Sequence, residues 1–411
     1  MSSTAIQPIQ QGQRTAIIDM LRGWALLGVV LMNYVDYLYL GLDFKKWEPD
    51  ILAKVLQMTG QIIFAAKSWT MLSFLFGYGF AVLMNNVSAK GINPVQFFSR
   101  RMFWLFVLAI INSAFFFGDI LKDYAVMGMV LLIFWRCSAR VAFFISIGLF
   151  LATGAVVAYI ASLGRPNGMD MLVPYLYLYQ SHNPLKVLWF GLVGTYKYEF
   201  VFLQYLITVH FPMLSMFFLG LAAQKIDFFN RLVQNKKYVK RIFWISLAVV
   251  LFWIGIFILT DRMKWNWMKY YQPFFFIIIG SMLFIASALS WLYVAGKLKR
   301  FFRSMQTIGK MTLTNYIVQN MLGILLFSGF GFGFGLAHKL HFGYYLLFAF
   351  TIYVLQIYFS KWWLSHYLYG PIEWAWRQLS YAKRLPIRKY RQVKDVTMEL
   401  SSEPPAKPPS T

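Results

Sequence analysis

Long apolar runs separated by short polar segments are the main pattern along this chain. The runs are about 17–25 residues long, the length that crosses a hydrocarbon core of about 30 Å as an α-helix. They do not alternate apolar and polar positions as the strands of a transmembrane β-barrel do. The pattern predicts an all-α, polytopic membrane helix bundle of about ten transmembrane helices within residues 19–366. The predicted spans lie near residues 20–40, 68–86, 102–118, 120–135, 141–162, 201–223, 242–260, 274–294, 311–332 and 343–364.

One apolar segment before the second span has no single predicted placement. Residues 51–66 read "ILAKVLQMTGQIIFAA" and are interrupted by Lys54, Gln57 and Gln61. Three placements fit this segment: the start of the second span, a re-entrant segment, or a helix that lies at the membrane interface.

The composition agrees with a membrane protein. Of the 411 residues, 59% are hydrophobic and only 13% are charged, so a soluble domain of this composition would expose too much apolar surface. The first apolar run begins with Asp19 and Arg22 and lacks a small-x-small cleavage site, so no cleavable signal peptide is predicted. The single cysteine, Cys137, excludes an intramolecular disulfide and a cysteine-rich metal site.

The formal net charge of +24 is unevenly distributed along the chain. Segments that alternate as one side of the ten-span arrangement contain about 26 of the 39 Lys and Arg residues, and the opposite loops contain about 12. Loops rich in Lys and Arg stay in the cytoplasm, so both termini are predicted to be cytoplasmic. The basic charge therefore indicates topology and attraction to anionic membrane lipids, and we expect no nucleic-acid partner.

Three segments lie outside the predicted bundle. Residues 1–18 are predicted to form a cytoplasmic N-terminal segment, and residues 367–395 a basic cytoplasmic amphipathic segment. Within the second of these, Pro371 opens a helix whose Trp374 and Trp376 suit the membrane interface. Residues 396–411 are rich in Ser, Glu and Pro, which predicts a disordered tail.

The first span has a stripe of polar side chains. Four residues fall within about a third of the helix circumference, namely Asp19, Arg22, Asn33 and Asp36. Arg22 can pair with Asp19, and Asn33 lies about 16 Å further along the helix axis. Two interpretations fit the stripe: an ion pair that anchors the helix end while Asn33 bonds a neighbouring helix, or a buried functional site.

Two further polar clusters lie at the ends of predicted spans. The stretch "GDILKDYAVMGMVLL" brings Asp119, Lys122, Asp123 and Tyr124 to a short turn between two spans. This cluster is either a polar hairpin tip or a site that binds the hydroxyl or amine of a substrate. In "IGKMTLTNYIVQN", Asn315 and Gln319 share one helix face with Thr312, which suits hydrogen bonds between helices or contact with a substrate.

The five histidines have none of the spacings typical of metal ligands, so no metal site is predicted. His210 lies in the middle of a predicted span, in "LITVHFPML", where it either bonds a neighbouring helix or acts as an acid or base. His182, in the long loop on the predicted outer side, is the other candidate base.

Five stretches together resemble the YeiB family, bacterial membrane proteins that contain domain of unknown function 418. They are "DMLRGWALLGVVLMN" (19–33), "MLSFLFGYGFAVL" (71–83), "GDILKDYAVMGMVLL" (118–132), "IGKMTLTNYIVQN" (308–320) and "GPIEWAWRQLSY" (370–381). The YeiB family is similar in turn to transmembrane acyltransferases, which include acyltransferase family 3 and the heparan-α-glucosaminide N-acetyltransferases. This resemblance implies a helix bundle that uses cytoplasmic acyl-CoA to acylate a sugar on the far side of the membrane.

The resemblance also implies roles for residues of the first span. Acyltransferase family 3 has an arginine and, eleven residues later, a histidine on this helix, where the present chain has Arg22 and Asn33. The heparan enzymes have asparagine at the second position and a histidine in the following loop, but residues 34–50 of this chain contain no histidine. The resemblance therefore implies that Arg22, oriented by Asp19, binds the phosphates of acyl-CoA and that Asn33 bonds the acyl carbonyl.

Acyl transfer needs a general base, and asparagine cannot act as one. Four residues are candidates for this role, namely Asp36, Asp119, Asp123 and His210. The side chains expected to contact the substrate are Lys122, Tyr124, Asn315 and Gln319.

Three functions fit these patterns. The first is an acyl-CoA-dependent transferase in the inner membrane of a bacterium, acting on an envelope saccharide or a small molecule. The second is a transporter or flippase that moves a small metabolite or lipid past the intramembrane polar residues. The third is a membrane sensor or scaffold without catalytic activity.

Overall fold

A computed structural model of the protein describes residues 16–41, 48–164, 168–201, 203–330, 334–337 and 339–389, except for the side chains of residues 168, 169, 203 and 204. Residues 1–15 of the predicted N-terminal segment and the predicted tail 396–411 lie outside the described residues. Residues 390–395, at the end of the predicted amphipathic segment, also lie outside them.

Helices make up most of the described chain. The α-helices are α1 (Ala16–Asp36), α2 (Ile51–Ile63), α3 (Lys67–Ala89), α4 (Pro94–Ser113), α5 (Leu121–Ile133), α6 (Ala139–Ser162), α7 (Leu176–Tyr179), α8 (Pro184–Thr195), α9 (Leu203–Lys225), α10 (Lys236–Arg262), α11 (Phe274–Val294), α12 (Lys299–Gly309), α13 (Thr312–Phe327), α14 (Phe342–His366) and α15 (Pro371–Tyr381). Short 3₁₀ segments lie at Tyr37–Leu40, Gly168–Met171, Val173–Tyr175 and Trp267–Lys269, and a π-helical turn at Tyr196–Val201.

Eight helical stretches of the described chain are long and apolar enough to cross a membrane. They are Ala16–Leu40, Ile51–Ala89, Pro94–Ser113, Ala139–Ser162, Tyr205–Lys225, Lys236–Arg262, Phe274–Val294 and Phe342–His366. The chain is therefore a polytopic helical membrane protein, as the hydropathy pattern predicts. The spans predicted near 120–135 and 311–332 correspond to the shorter helices α5 and α13, of 13 and 16 residues. At 1.5 Å per residue these helices are only about 20 and 24 Å long.

Several helix starts follow from local sequence. Asn93 precedes Pro94, and its side-chain oxygen accepts hydrogen bonds from the backbone N–H groups of Val95 and Gln96 at the start of α4. Ser138 caps α6 in the same way through the N–H of Val141. These caps satisfy N–H groups that have no partner within the helix, so the sequence itself defines where α4 and α6 begin.

Helix α1 lies in the centre of the bundle, and most of its residues are buried. It crosses α12 so closely that a Cβ atom at Gly23 would lie 2.1 Å from the carbonyl oxygen of Met305. At the same crossing, a Cβ atom at Gly309 would lie 1.8 Å from the carbonyl oxygen of Asp19. Only glycine permits such backbone contact, so Gly23 allows close packing of α1 as small residues do in membrane bundles.

Helix α12 was not predicted from the sequence, since residues 296–310 lie between the predicted spans 274–294 and 311–332, on the side assigned to the cytoplasm. Its Phe302, Met305 and Ile308 are buried in the core, whereas its basic residues are exposed. The apolar positions recur every three residues, so the short helix is amphipathic and packs one face against the bundle.

The uncertain segment 51–66 forms α2, a separate helix of 13 residues that ends before α3 begins. The side chains of Ile51, Met58 and Ile62 are more than half exposed. A helix of this length is too short to span a membrane, and its exposed apolar side chains favour the interfacial placement.

Helix α15 packs against α4 and α13. The carboxylate of Glu373 accepts hydrogen bonds from the backbone N–H and the hydroxyl of Thr314, near the first turn of α13. On the other side, the indole N–H of Trp376 donates to the carbonyl oxygen of Arg101, whose guanidinium lies 3.6 Å from the ring centre. Burial raises the pKa of Glu373. The hydrogen bonds that its carboxylate accepts from Thr314 oppose this effect and lower the pKa.

Candidate functional site

A group of polar side chains from six elements of the fold meets inside the bundle. We call it the polar cluster, and its members are Asn33, Asn112, Asp119, Lys122, Asp123, Glu199, Tyr205, His210 and Asn320. It contains Asp119, Asp123, Lys122 and His210 of the sequence-predicted site, together with Asn33.

Side-chain amides connect the first span to the turn after α4. Asn33 donates to the side-chain oxygen of Asn320 (3.3 Å), and Asn320 donates to that of Asn112 (3.4 Å). Asn112 in turn donates to the carboxylate of Asp119 (2.8 Å). All four residues are at least 91% buried. The bonds join α1, α13 and α4, and a buried amide that lost its partner would destabilise the fold, so the chain of amides fixes how these helices pack.

Lys122 is the only ammonium group in the polar cluster, and it is buried. It forms an ion pair with Glu199 from the π-helical turn Tyr196–Val201 and donates to the backbone carbonyl oxygen of Asp119. The exposed fraction of the Lys122 and Glu199 side chains is 2% each. Burial raises the pKa of Glu199, and the nearby Lys122 lowers it. Buried charges of this kind persist only when they are paired, so each residue depends on the other.

Asp119 lies in the turn between α4 and α5. Burial raises the pKa of its carboxyl to about 6, whereas Lys122 and the hydrogen bond from Asn112 lower it. The hydroxyl of Tyr316 interacts with the same carboxylate. Asp119 therefore has several donors around one carboxylate, which is the arrangement of an anchoring group at a buried turn.

His210 and Asp123, two of the candidate bases predicted from the sequence, are in contact. Nε2 of His210 lies 3.0 Å from Oδ1 of Asp123, and the hydroxyl of Tyr205 donates to Oδ2 of the same carboxylate (3.3 Å). The two side chains of this pair are 16% and 8% exposed, so the imidazole is mostly but not completely enclosed. A carboxylate that contacts one ring nitrogen orients the imidazole and selects its tautomer.

The Asp19–Arg22 pair that the sequence predicts is present near the start of α1. Nη1 of Arg22 lies 3.4 Å from Oδ1 of Asp19, which is almost completely buried, while the Arg22 side chain is 28% exposed. The guanidinium also lies beside Gly79 of α3, where a Cβ atom would be 3.0 Å from Nη2. Arg22 is thus a partly accessible cation. It lies eleven residues before Asn33, a distance of about 16 Å along the axis of α1.

Asp36 and Tyr124 lie beside the polar cluster. Asp36 is half-buried at the end of α1 and interacts electrostatically with Tyr198, the neighbour of Glu199. The hydroxyl of Tyr124 donates to the carbonyl oxygen of Trp69 (3.0 Å) and lies 3.1 Å from that of Ser73, so it joins α5 to α3. A substrate-binding role for Tyr124 stays a prediction.

Asn315 and Gln319 share a face of α13 but have different surroundings. Asn315 donates to the hydroxyl of Ser360 (2.9 Å), and its backbone oxygen accepts from Gln356 (2.7 Å), so it connects α13 to α14. The side-chain amide of Gln319 is completely buried, and neither its nitrogen nor its oxygen has a hydrogen-bond partner among the described residues. A buried amide without a partner is unusual in a folded protein, so Gln319 is the better candidate to bind a ligand.

The other candidate base, His182, lies outside the polar cluster. Its Nδ1 is 2.9 Å from the carbonyl oxygen of Gly329, in the segment after α13. Within the described ranges, no group of three or more His, Cys, Asp or Glu side chains could hold a metal ion.

Four members of the polar cluster were not singled out by sequence analysis: Asn112, Glu199, Tyr205 and Asn320. Asn112 lies in an apolar run, where a polar residue is itself a sign of a buried partner. Glu199 could not be recognised, because it belongs to a predicted outer loop in which acidic residues are ordinarily solvated.

The chain is similar to proteins from several bacteria. Residues 223–383 match the family model described as "Protein of unknown function (DUF418)". "Uncharacterized protein YxaH" of Bacillus subtilis is 26% identical, with 95% of this chain and 100% of that protein covered. A protein of Bacillus acidopullulyticus, "Uncharacterized 39.9 kDa protein in amylase 3'region", is 27% identical, with coverages of 93% and 98%.

"Uncharacterized protein YeiB" of Escherichia coli is 23% identical, with 90% of this chain and 96% of that protein covered. No solved structure matches the chain. The resemblance that the five sequence stretches indicate is confirmed by these matches, whereas the more distant likeness to acyltransferases stays a prediction. The family-model match over residues 223–383 and the similarity to YxaH and YeiB over most of the chain support its assignment to the YeiB family of DUF418 proteins.

Proposed function

We propose that this protein is an acyltransferase of the bacterial cytoplasmic membrane, which moves an acyl group from cytoplasmic acyl-CoA to a hydroxyl or amine of an envelope saccharide or small molecule. The observation that most supports the proposal is the 3.0 Å contact between Nε2 of His210 and Asp123. This contact supplies an oriented histidine to a protein whose first-helix stripe has Asn33 where acyltransferase family 3 has its histidine.

His210 is the general base in this proposal, and Asp123 positions it. If Nε2 is protonated and donates to Asp123, the lone pair of Nδ1 is available to accept a proton. The carboxylate stabilises the imidazolium that forms, as in other histidine–carboxylate pairs. Nδ1 takes the proton of the acceptor O–H or N–H while the new bond to the acyl carbon forms and the C–S bond of the thioester breaks. The same nitrogen returns the proton to the departing sulfur.

Arg22 and Asn33 suit the two ends of the acyl donor. Acyl-CoA, the donor substrate, has its phosphates at one end and its thioester at the other. The partly exposed guanidinium of Arg22 can bind phosphate oxygens with a planar fork, held in place by Asp19. Asn33 uses one Nδ2 hydrogen for Asn320 and has a second for the acyl carbonyl oxygen, about 16 Å further along α1.

Gln319 is the residue that we assign to the acceptor. It directly precedes Asn320 on α13, and its buried side-chain amide, without a hydrogen-bond partner among the described residues, can donate to and accept from an acceptor hydroxyl. Lys122 pairs with Glu199 and donates to the backbone carbonyl oxygen of Asp119, and the Asp119 carboxylate accepts from Asn112. We therefore assign Lys122 and Asp119 to the framework that holds the site.

The proposal is tested by acyl transfer in vesicles that contain the purified protein. Radiolabelled acetyl-CoA is supplied on the Arg22 side, and label is followed into a panel of envelope saccharides and hydroxylated or aminated small molecules, together with release of free CoA thiol. His210→Gln is expected to lower the transfer rate by about 10²–10⁴-fold, the usual contribution of a general base. His366→Gln is the matched control, because His366 is exposed at the end of α14 and its side chain bonds only local groups.

Measuring the binding of labelled acetyl-CoA distinguishes a defect in the acyl-donor site from the loss of the general base. Arg22→Lys is expected to weaken binding, since a point charge does not replace a planar fork, whereas His210→Gln leaves binding intact. Equal transfer by His210→Gln and His366→Gln would contradict the role of His210, and full donor binding by Arg22→Lys would contradict that of Arg22.

A transporter is the second candidate function, and the buried Lys122–Glu199 ion pair is the observation that favours it. Charged residues inside membrane bundles often lie on substrate or proton pathways. Uptake of labelled metabolites or lipid flipping by the same vesicles distinguishes the two functions. Transport that persists in His210→Gln, with no acyl transfer by the unmodified protein, would favour the transporter.

A further inference from the structure

A large apolar cavity lies away from the polar cluster, at the end of the bundle where α6 and α10 begin and α9 and α11 end. Its volume is about 540 Å³. Its buried wall includes Phe74 of α3, Ala222 of α9, Met282 of α11, and Phe229 from the segment between α9 and α10. We call it the apolar cavity.

The apolar cavity is open at one side. Phe143, Phe144 and Ile226 line it and are 44%, 68% and 59% exposed, so they form its rim. The only polar groups in the wall besides Arg140 are Ser287 and Ser290, whose hydroxyls donate to carbonyl oxygens of their own helix. A buried water needs several polar partners, and these walls offer too few for water to fill the space. Hydrocarbon is the occupant that such walls favour.

Arg140 is the one charged residue that lines the apolar cavity, and it is exposed at the rim. It has no ion-pair or hydrogen-bond partner in the part of the chain that the structure describes. The nearby segment 225–241 contains six Lys or Arg residues and one acidic residue, Asp227. Asp227 lies 3.5 Å from Arg231 and accepts from Asn230, so its charge is already compensated. The rim is therefore strongly positive.

We propose that the apolar cavity binds an acyl chain of an anionic phospholipid, with the lipid phosphate against Arg140. Basic pockets between membrane helices bind anionic head groups, and here the pocket continues into a space that accepts hydrocarbon. The site is separate from the proposed acyl-donor site, because Arg22 lies beside Gly79 and none of the cavity-lining residues belongs to the polar cluster.

Lipid retention by the purified full-length protein tests the proposal. The protein is incubated in mild detergent with phosphatidylglycerol or phosphatidylcholine of equal chain length, and bound lipids are counted by native mass spectrometry. Arg140→Gln is expected to lower phosphatidylglycerol retention about tenfold, since it removes one charged contact. It is expected to lower phosphatidylcholine retention less, because the choline cation already offsets the charge of that lipid's phosphate. Ala286→Phe fills the cavity and is expected to lower retention of both lipids.

Two control variants match these changes. Arg262→Gln removes an exposed arginine at the far end of α10, and Gly255→Phe adds an aromatic ring where nothing lies within 4 Å of a Cβ atom. Both are expected to retain lipid as the unmodified protein does. Ala223→Leu, a smaller filling of the same wall, replaces Ala286→Phe if that variant unfolds.

Four outcomes would overturn the proposal. They are equal retention by Ala286→Phe and Gly255→Phe, an unchanged lipid preference in Arg140→Gln, equal retention of the two lipids by the unmodified protein, and displacement of phosphatidylglycerol by inorganic phosphate. None of the variants alters the polar cluster or Arg22, so acetyl-CoA binding is expected to be unchanged. A failure here is therefore distinguishable from a failure of the acyltransferase proposal.

Discussion

The polar cluster and the apolar cavity are two buried regions of one bundle that differ in how their side chains are satisfied. Helix α9 contributes residues to both. His210 of α9 joins Asp123 in the polar cluster, whereas Leu219 and Ala222, nine and twelve residues later, line the apolar cavity. In the polar cluster, side chains of different helices bond each other. In the apolar cavity, the hydroxyls of Ser287 and Ser290 bond only their own helix.

This difference separates residues that fix the relative positions of helices from residues that only fill space. A buried hydrogen bond between helices is lost if either helix moves, and the unsatisfied group then destabilises the fold. An apolar wall has no such directional requirement and tolerates volume-conserving changes. The polar cluster should therefore be sensitive to substitution and the apolar cavity tolerant of it.

The largest effect on stability is expected for Lys122→Met. The substitution removes the partner of Glu199 and leaves a carboxylate buried without a counter-charge, which typically destabilises by about 3–5 kcal/mol. The double variant Lys122→Met with Glu199→Met should recover most of the loss, because an apolar pair of similar volume replaces the ion pair. Thermal and denaturant unfolding in detergent measure both free energies. A double variant no more stable than the single one would show that the ion pair does not act as a unit.

A smaller loss is expected for Asn112→Leu. Asn112 accepts from Asn320 and donates to Asp119, so the substitution leaves both partners short of a hydrogen bond inside the bundle. The expected loss is about 2 kcal/mol in the free energy of unfolding. Measured together with Asn33→Leu, the effects should be less than additive, since both residues belong to one chain of amides. Strict additivity would mean that the amides act independently.

The smallest effect is expected for Ser290→Ala in the wall of the apolar cavity. Ser290 is as buried as the members of the polar cluster, but its hydroxyl donates 2.7 Å to the carbonyl oxygen of Ala286, one turn earlier in α11. Such local bonds add little to a helix, so the free energy of unfolding should change by less than about 0.5 kcal/mol. If Ser290→Ala destabilised the protein as much as Asn112→Leu, burial alone would explain both effects.

Hydropathy predicted the long spans well because a membrane helix must satisfy its own backbone hydrogen bonds, so length and composition define it locally. The same rule located α5 and α13 but made both too long, because their apolar runs continue into residues outside the helices. It also missed α12, because an amphipathic helix with an exposed basic face resembles a cytoplasmic loop in hydropathy.

The polar stripe of α1 was also predicted from periodicity, and Asp19 and Arg22 pair as three-residue spacing allows. The partners of Asn33 and His210 could not be predicted, since Asn320 and Asp123 are 287 and 87 residues away in the chain. Intramembrane polar residues indicate that a partner exists, but their spacing says nothing about which helix supplies it.

The sequence by itself determined that this is a multi-helix membrane protein, because apolar runs of bilayer length have no soluble alternative. It also determined the first-helix stripe, because helical periodicity fixes which residues share a face. Only the tertiary structure decided that Lys122 pairs with Glu199 and that His210 contacts Asp123. Those contacts depend on how distant helices pack, and packing is settled by the joint fit of many side chains and glycine contacts such as Gly23 against Met305.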